Sequence, residues 1–247
     1  MIHVKSEKEI ELMREPCKIV RDTLEFVGSK ISAGMTTKEV DELVERYIRS
    51  AGAYPSCLGY GGFPASACIS VNEMVVHGIP DDRIIKEGDI VSVDLCAYKN
   101  GYHGDACRTF CIGNVAPEVK QLVKVTEECF FKAVEGLKAG TPLYDIGYRV
   151  QKHAEAHGYG VIRAYTGHGI GKEMHEDPSV PNYGKLGTGV RLKAGTVICV
   201  EPMIAMGSWK VNLLNDGWGA VTVDGKPAAH YENTLVVRED GVEILTL

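Results

Sequence analysis

The strongest local constraint on this 247-residue chain is an Asn-Gly dipeptide set between two strand-like segments. Asn100-Gly101 favours a type I′ turn with positive φ at both central residues, and therefore predicts a tight β-hairpin. In that register Cys96 lies opposite Asp105. Asp94 shares the face of Cys96 because side chains alternate along a strand. The two carboxylates become diagonal neighbours, roughly 7 Å apart at the backbone.

Two aspartates at a hairpin have an ordinary interpretation and a chemical one. Carboxylates are usually exposed, so a solvated hairpin end explains the pair without any function. Two anions beside an apolar strand also repel each other and resist desolvation, which a cation between them would relieve. The rest of the chain must decide between these interpretations.

Composition excludes several classes of protein. The hydrophobic content of 45% and the charged content of 24% are ordinary for a globular protein, and a net charge of −6 disfavours specific nucleic-acid binding. No segment is long and apolar enough for a signal peptide or a membrane span, so we expect a cytoplasmic protein. The eight cysteines include no Cys-x-x-Cys pair and are expected to be reduced thiols.

Capping patterns mark the helices. Ser6 with Glu9, and Thr36 with Glu39, form capping boxes that begin two helices. Pro16 interrupts the first apolar period and predicts a kink or a restart of that helix. Two further helices are expected, one over 117–138 and one that begins at Thr141-Pro142 and ends near 157–158, with threonine as the cap and proline in the first turn.

The order of these elements repeats. Residues 31–52 align with 137–158 at an offset of 106 (137 − 31), and residues 85–94 align with 192–201 at an offset of 107 (192 − 85). When the two repeats are aligned over their further motifs as well, three pairs of chemically similar residues match: Asp94 with Glu201, Asp105 with Glu232, and His77 with His175. Two such halves packed about an approximate two-fold axis bring four carboxylates together. Without counter-ions that cluster is strongly destabilising, so it predicts metal.

A glycine-rich segment, residues 166–178, supplies a nitrogen ligand. It contains His168 and His175, seven positions apart (175 − 168), and lacks the Lys-Ser/Thr ending of a phosphate loop. Glycines beside His168 allow close backbone approach to a site. One nitrogen and four carboxylates suit first-row divalent metals, and two such ions balance a charge of about −4. A pair of ions typically activates water, which predicts a hydrolase.

With these motifs in place, the chain resembles the type I methionine aminopeptidases of the pita-bread metallopeptidase family. The resemblance covers nearly the whole chain and rests on the following motifs: His77-Gly-Ile-Pro, the spacing of Asp94 and Asp105, Gly-His168-Gly-Ile-Gly through His175, Val200-Glu201-Pro202 and Tyr231-Glu232-Asn. It implies an α/β (α+β) pita-bread fold in which a curved antiparallel sheet lies inside and helices lie outside.

The resemblance also implies the domain organisation. We expect a single catalytic domain over 1–247, made of pseudo-symmetric halves at about 5–115 and 116–247. No zinc-finger extension is expected before the first helix. The 26 positions between His175 and Glu201 (201 − 175) leave no room for the helical insert of the type II enzymes.

The same resemblance implies roles for individual residues. Asp94 chelates one metal, His168 and Glu201 bind the other, and Asp105 and Glu232 bridge them. Glu201 is also the proton shuttle. His175 is expected to bind the substrate carbonyl oxygen, and His77 to contact the backbone of the second residue. The methionine side chain is expected to lie among Cys57, Tyr60, Phe63, Cys68, Met174 and Trp218, of which Met174 stands where the family often has an aromatic residue.

Cofactors and partners follow from the resemblance. We expect two divalent ions (cobalt, manganese, iron or zinc) and a monovalent cation near Asn72. The expected substrates are nascent polypeptide N-termini at the ribosome, and the expected form is a monomer without membrane or specific nucleic-acid partners. One alternative is a proline-specific dipeptidase or aminopeptidase of the same fold, which usually carries an extra N-terminal domain. The other is a non-enzymatic binding protein on this fold, which usually lacks metal ligands.

Overall fold

The computed structural model describes residues 1–247 and contains four α-helices. They are α1 (Glu7–Gly28), α2 (Thr37–Ser50), α3 (Pro117–Val134) and α4 (Tyr144–Ala156). The predicted capping boxes at Ser6 and Thr36 are confirmed, because each side chain accepts the backbone N–H of the glutamate three residues later. None of the four helices combines the length and apolar character that crossing a membrane requires.

Fifteen short strands complete the chain. They are β1 (Tyr54–Pro55), β2 (Ala67–Val71), β3 (Met74–Val76), β4 (Ile90–Lys99), β5 (Tyr102–Cys111), β6 (Gly160–Val161), β7 (Gly167–Gly169), β8 (Glu176–Val180), β9 (Val197–Val200), β10 (Met203–Ala205), β11 (Val211–Leu213), β12 (Ala220–Thr222), β13 (Ala228–His230), β14 (Glu232–Val237) and β15 (Val242–Ile244).

One nine-stranded sheet organises the molecule. Its central order is β1-β4-β5-β14-β9-β7-β8, with β2 added to β4 and β15 added to β14, and its ladders are antiparallel. Two three-stranded sheets, β13-β10-β6 and β11-β12-β3, contain the remaining strands. Within the nine-stranded sheet, the strands of residues 54–111 join the strands of residues 167–244 at the seam between β5 and β14, and β3 pairs with β12 in one of the smaller sheets.

Separate apolar clusters lie under the two helix pairs. One contains buried residues of α1, α2, β2 and β4, including Val20, Val44 and Val93. Another contains buried residues of α3, α4 and β14, including Phe130 and Leu235. Each amphipathic helix pair thus covers its own part of the sheet. The division into halves at 5–115 and 116–247 stays a prediction.

The β4–β5 hairpin has the predicted register. Cys96 pairs with Asp105, and Lys99 pairs with Tyr102 across the turn. Both turn residues have positive φ, 56° at Asn100 and 84° at Gly101. The local Asn-Gly signal was sufficient here because a two-residue loop leaves no freedom in register.

The cap predicted at Thr141 was wrong, and so was the restart that was one of two alternatives predicted at Pro16. Helix α1 does not restart at Pro16 but runs unbroken through it, with α1 pressed against β5. A Cβ on Gly104 would lie 2.6 Å from the Cys17 backbone nitrogen, which shows how closely they pack. Tertiary packing here outweighs the hydrogen bond that proline removes. Helix α4 begins at Tyr144, after Thr141, whose hydroxyl accepts the Lys138 N–H at 3.2 Å.

Candidate metal centre and adjoining pocket

The seam between β5 and β14 brings the predicted carboxylates together. Asp94 on β4 and Glu232 on β14 both lie opposite Cys107 of the intervening β5, and Asp105 lies two residues away on β5. Glu201 directly follows β9, which pairs with β14. Sheet order therefore gathers four carboxylates that the chain supplies from residues up to 138 positions apart (232 − 94).

His168 points its Nε2 atom into this cluster. Nε2 lies 3.7 Å from Asp105 Oδ2 and 3.7 Å from Glu201 Oε1. The other ring nitrogen, Nδ1, donates to the Gly169 carbonyl oxygen at 2.9 Å. That bond leaves the lone pair on Nε2, which is the arrangement of a metal-ligating histidine.

The glycines beside His168 are required by packing. A Cβ on Gly167 would lie 2.3 Å from the Cys199 carbonyl oxygen, and a Cβ on Gly169 would lie 2.1 Å from the Asp177 carbonyl oxygen. Neither neighbour can move aside, because both are backbone atoms of paired strands. The glycine-rich motif therefore lets β7 enter the sheet and carry His168 to the carboxylates.

Burial and mutual repulsion disfavour ionisation throughout the cluster. Desolvation, followed by the charges of the neighbouring carboxylates, raises the pKa of Asp94, Glu201 and Glu232 well above the usual carboxyl range. Desolvation raises the pKa of Asp105 to about 6 and lowers the pKa of His168 to about 3. Only an added cation lets all four acids ionise together.

Unpaired polar atoms confirm that protein groups alone do not satisfy this cluster. Glu232 Oε1 and His230 Nε2 are buried and have no hydrogen-bond partner. Ligand atoms of Asp105, His168, Cys199 and Glu232 lie within 4.8 Å of one another. Buried polar groups are rarely left unpaired in native proteins. The mixed oxygen and nitrogen donors therefore fit a divalent first-row metal.

His230 and Cys199 are part of the site and were missed from sequence. His230 Nε2 lies 3.6 Å from Glu201 Oε2 and 3.9 Å from Glu232 Oε2. Desolvation lowers the pKa of His230 to about 3, so its ring is neutral. The available signal was the spacing of His230 and Glu232, two positions apart in a strand-like segment. Nothing in the sequence indicated a site role for Cys199, because it lies within an apolar strand segment and resembles an ordinary core residue.

Polar side chains behind the carboxylates hold their backbones in place. Arg108 Nη1 donates to the Glu232 carbonyl oxygen at 2.6 Å, and Nη2 donates to Asn233 Oδ1 at 2.7 Å. Thr234 Oγ1 donates to the Asp105 carbonyl oxygen at 2.8 Å. Because these bonds cross the seam between β5 and β14, they fix the relative positions of the two bridging candidates.

Two cavities open onto the cluster. An acidic cavity of about 280 Å³ includes all five predicted metal ligands in its lining. The complete lining is Val76, His77, Asp94, Asp105, Ala164, Tyr165, Thr166, His168, His175, Glu201 and Glu232. A second cavity, also about 280 Å³, contains all six residues expected around the methionine side chain: Cys57, Tyr60, Phe63, Cys68, Met174 and Trp218. Both cavities share His77, Asp94, Asp105 and His175.

The two remaining histidines lie where the cavities meet. His175 Nδ1 is 2.7 Å from the Tyr60 hydroxyl, and its ring centroid is 4.3 Å from that of His168. His77 has a positive φ of 59° and meets the Tyr165 ring edge-on at 5.1 Å. Desolvation lowers the pKa of both His77 and His175, which favours neutral rings.

Asn72, the predicted neighbour of a monovalent cation, already has several protein partners. Its carbonyl oxygen accepts the Ala228 N–H at 2.9 Å, its Nδ2 donates to Asp89 at 2.8 Å and its Oδ1 accepts the Ile90 N–H at 3.0 Å. The monovalent cation stays a prediction.

Several known proteins are similar to this chain in sequence and structure. Residues 11–239 match metallopeptidase family M24. The methionine aminopeptidase of Clostridium acetobutylicum is 52% identical over 248 aligned residues, covering 100% of this chain and 99% of that protein. The crystal structure of methionine aminopeptidase from Rickettsia prowazekii superposes with a TM-score of 0.99 at 42% identity, with 100% of both chains covered.

A second kind of relative shares the fold over part of its length. Prolidase from Pyrococcus furiosus superposes with a TM-score of 0.80 at 25% identity, covering 99% of this chain but 65% of that one. The predicted resemblance and pita-bread fold are confirmed by these comparisons.

Proposed function

Because the chain belongs to metallopeptidase family M24, we propose that it removes the N-terminal methionine from peptides and nascent proteins whose second residue is small. One observation carries the proposal: a cluster of four carboxylates and one histidine shares its wall with a cavity of sulfur and aromatic side chains. The cluster supplies the hydrolytic chemistry, and the cavity supplies the preference for methionine.

The acidic cavity would hold two divalent ions. Asp94 would chelate one, His168 and Glu201 the other, and Asp105 and Glu232 would bridge them. Bound divalent ions act as Lewis acids and lower the pKa of water. Cobalt, manganese, iron and zinc all accept this donor set. The support is the position of the five side chains on one cavity and the unpaired Glu232 oxygen.

Glu201 is the proposed proton carrier. Its carboxylate lies in the acidic cavity, and Asn182 Nδ2 donates to its backbone carbonyl oxygen at 2.8 Å, which fixes the chain behind it. In this position Glu201 takes a proton from the attacking water and delivers it to the leaving amine. A carboxylate is suited to both transfers because it accepts and releases a proton without moving.

His175 is the proposed donor to the substrate carbonyl oxygen. His175 Nδ1 and the Tyr60 hydroxyl oxygen lie 2.7 Å apart, and we propose that the hydroxyl is the donor, which places the ring proton on Nε2. That proton is then available to the oxygen on which negative charge develops during attack. Tyr60 lines the apolar cavity and its hydroxyl contacts His175, so this one residue would contribute both to binding the methionine side chain and to orienting the catalytic histidine.

His77 is the proposed contact for the backbone of the second substrate residue. It lines both cavities, and its ring is held edge-on against Tyr165 and, more distantly, Trp218. Its left-handed backbone is followed by Gly78, where a Cβ would lie 2.3 Å from the Ile69 carbonyl oxygen. The strained conformation is thus imposed by the surrounding strands, which is common at binding sites.

The apolar cavity is suited to an unbranched thioether. Phe63 and Trp218 meet edge-on at 5.1 Å, and the thiols of Cys57 and Cys68 lie beside them. Sulfur packs favourably against aromatic rings and other polarisable groups.

The proposed setting is the cytoplasm, with the protein acting as a monomer on chains at the ribosome. All eight cysteines are free, which suits a reducing compartment.

Peptide kinetics test this proposal against the proline-specific alternative. The metal-loaded protein should cleave Met-Ala peptides much faster than Ala-Pro peptides, and norleucine should substitute for methionine better than a branched residue does. Preferential cleavage of Ala-Pro would overturn the assignment. Absence of any hydrolysis with cobalt, manganese, iron or zinc would favour a non-enzymatic binding protein.

A further inference from the structure

The outer surface of the second helix pair carries another group of potential metal ligands. Glu128 lies on α3, His153 lies on α4, and His157 caps the C-terminal end of α4. Each offers one ligand atom, and the three atoms lie within 4.8 Å of one another. None of these residues lines the acidic or the apolar cavity, so the group is separate from the proposed active site.

Helix geometry explains why the two histidines meet. Residues four apart share one face of a helix, and two histidines at this spacing are a recurrent zinc-binding arrangement. The His153 and His157 ring centroids are 4.7 Å apart. His153 Nε2 lies 3.0 Å from Glu128 Oε2, which is close to the roughly 3 Å separation of two donors about 2 Å from one ion.

The protonation pattern of His157 is also that of a ligand. Its Nδ1 donates to the His153 carbonyl oxygen at 2.9 Å, which leaves the lone pair on Nε2. A metal-ligating histidine usually donates its second ring N–H in this way. The His157 side chain is exposed, so its ring can turn toward the other two donors without disturbing the core.

Charges of both signs surround this position, because Lys132, Arg149 and Lys152 line a cavity with His153. The C-terminal end of a helix carries a partial negative charge, and α4 ends at these histidines. Glu128 adds a full negative charge. Lys124 opposes this, because its Nζ lies 3.7 Å from Glu128 Oε1, but its side chain is exposed and can swing into solvent.

We propose that Glu128, His153 and His157 form a second divalent-cation site, of the zinc type, that joins α3 to α4 on the outer surface. Two imidazoles and one carboxylate are a common zinc donor set, with a fourth position left for water or another ligand. An ordinary His–Glu ion pair accounts for Glu128 and His153 but does not require His157 beside them. The cation would restrain the two helices together.

Zinc titration of the metal-loaded protein tests the site. The wild-type protein should take up one Zn²⁺ per chain beyond the active-site ions, and His157→Ala should weaken that binding at least tenfold. Crystals soaked in zinc should show an anomalous peak between the three side chains. Lys124→Gln should tighten the binding several-fold, because it removes the competing ammonium group.

The matched control is His3→Ala. His3 is another exposed histidine paired with a glutamate, 3.3 Å from Glu9, but it has no second histidine beside it. It should leave the zinc stoichiometry unchanged. Methionine removal should be unchanged in both variants when the active-site ions are present, so this test is independent of the proposed function. Equal zinc uptake by wild type and His157→Ala, or no anomalous peak at α3–α4, would overturn the proposal.

Discussion

The two cavities of the site have equal volume, about 280 Å³ each, but their walls differ in chemistry. The acidic cavity is walled by four carboxylates and three histidines. The apolar cavity is walled chiefly by sulfur and aromatic groups, and it touches the acids only through Asp94 and Asp105. In the acidic cavity the carboxylates repel one another when no cation is bound. The apolar cavity is an ordinary extension of the apolar interior.

This difference separates two kinds of contribution to function. Substitutions in the acidic cavity should abolish chemistry while relieving repulsion in the metal-free protein. Substitutions in the apolar cavity should weaken substrate binding and packing together. Four experiments examine this contrast.

The largest effect is expected from Asp105→Asn. The amide keeps the shape but removes the charge, so divalent metal should be lost and kcat/KM should fall by about 10³-fold or more. The metal-free variant should also melt at a higher temperature than the metal-free wild type, because one buried repulsion is gone. Asp240→Asn, at an exposed position, is the control for both measurements. If Asp105→Asn retained its metal and full activity, the acidic cavity would not be the site of metal binding and hydrolysis.

His175→Ala should lower kcat by about 10²–10³-fold, since one donor to the developing oxyanion is removed. Metal content, measured by elemental analysis, should remain that of the wild type. Tyr60→Phe should lower kcat by about tenfold, because it removes only the hydroxyl group that orients His175. Loss of metal from His175→Ala would instead place this histidine among the ligands.

Phe63→Leu examines the apolar cavity alone. The smaller side chain should raise KM for Met-Ala peptides by about tenfold and change kcat less, because the contact is made with ground state and transition state alike. The melting temperature should fall as well. Phe26→Leu, a partly buried phenylalanine near the Tyr47 ring, is the control that changes stability without changing KM. A fall in kcat alone would contradict the proposed binding role.

The smallest effect is a pH dependence of stability. Asp94, Glu201 and Glu232 have raised pKa values in the folded protein, so folding retains protons that the unfolded chain releases. Stability of the metal-free protein should therefore fall between about pH 7 and about pH 8, because most histidines of the unfolded chain have already lost their protons there. A loss of about 1 kcal/mol would lower the melting temperature by roughly 2–4 °C.

Added divalent metal should flatten this pH dependence, because the ions hold all four acids in their ionised form. Glu201→Gln should reduce the slope in the metal-free protein, since one titrating group is removed. Calorimetry at several pH values measures both. A metal-free protein that becomes more stable over this interval would show that the raised pKa values do not govern its folding.

Prediction from sequence succeeded where spacing along the chain carries the geometry. The hairpin turn and the capping boxes needed only local residues, and the internal repeat placed Glu201 and Glu232 beside the two aspartates. Prediction failed where a distant segment decides the outcome. The hydroxyl of Thr141 bonds locally, while the N–H of Leu143 at the start of α4 is satisfied at 2.9 Å by the distant Val190 carbonyl oxygen.

The amino-acid sequence by itself determined the β4–β5 register, the donor types and the family, because these depend on short-range patterns and on the identity of side chains. Only the tertiary structure decided that β5 pairs with β14, which is how the carboxylates predicted from the repeat meet, and that His230 and Cys199 are enclosed with them. Strand pairing across more than a hundred residues depends on packing of the whole sheet, for which no local segment carries a signal.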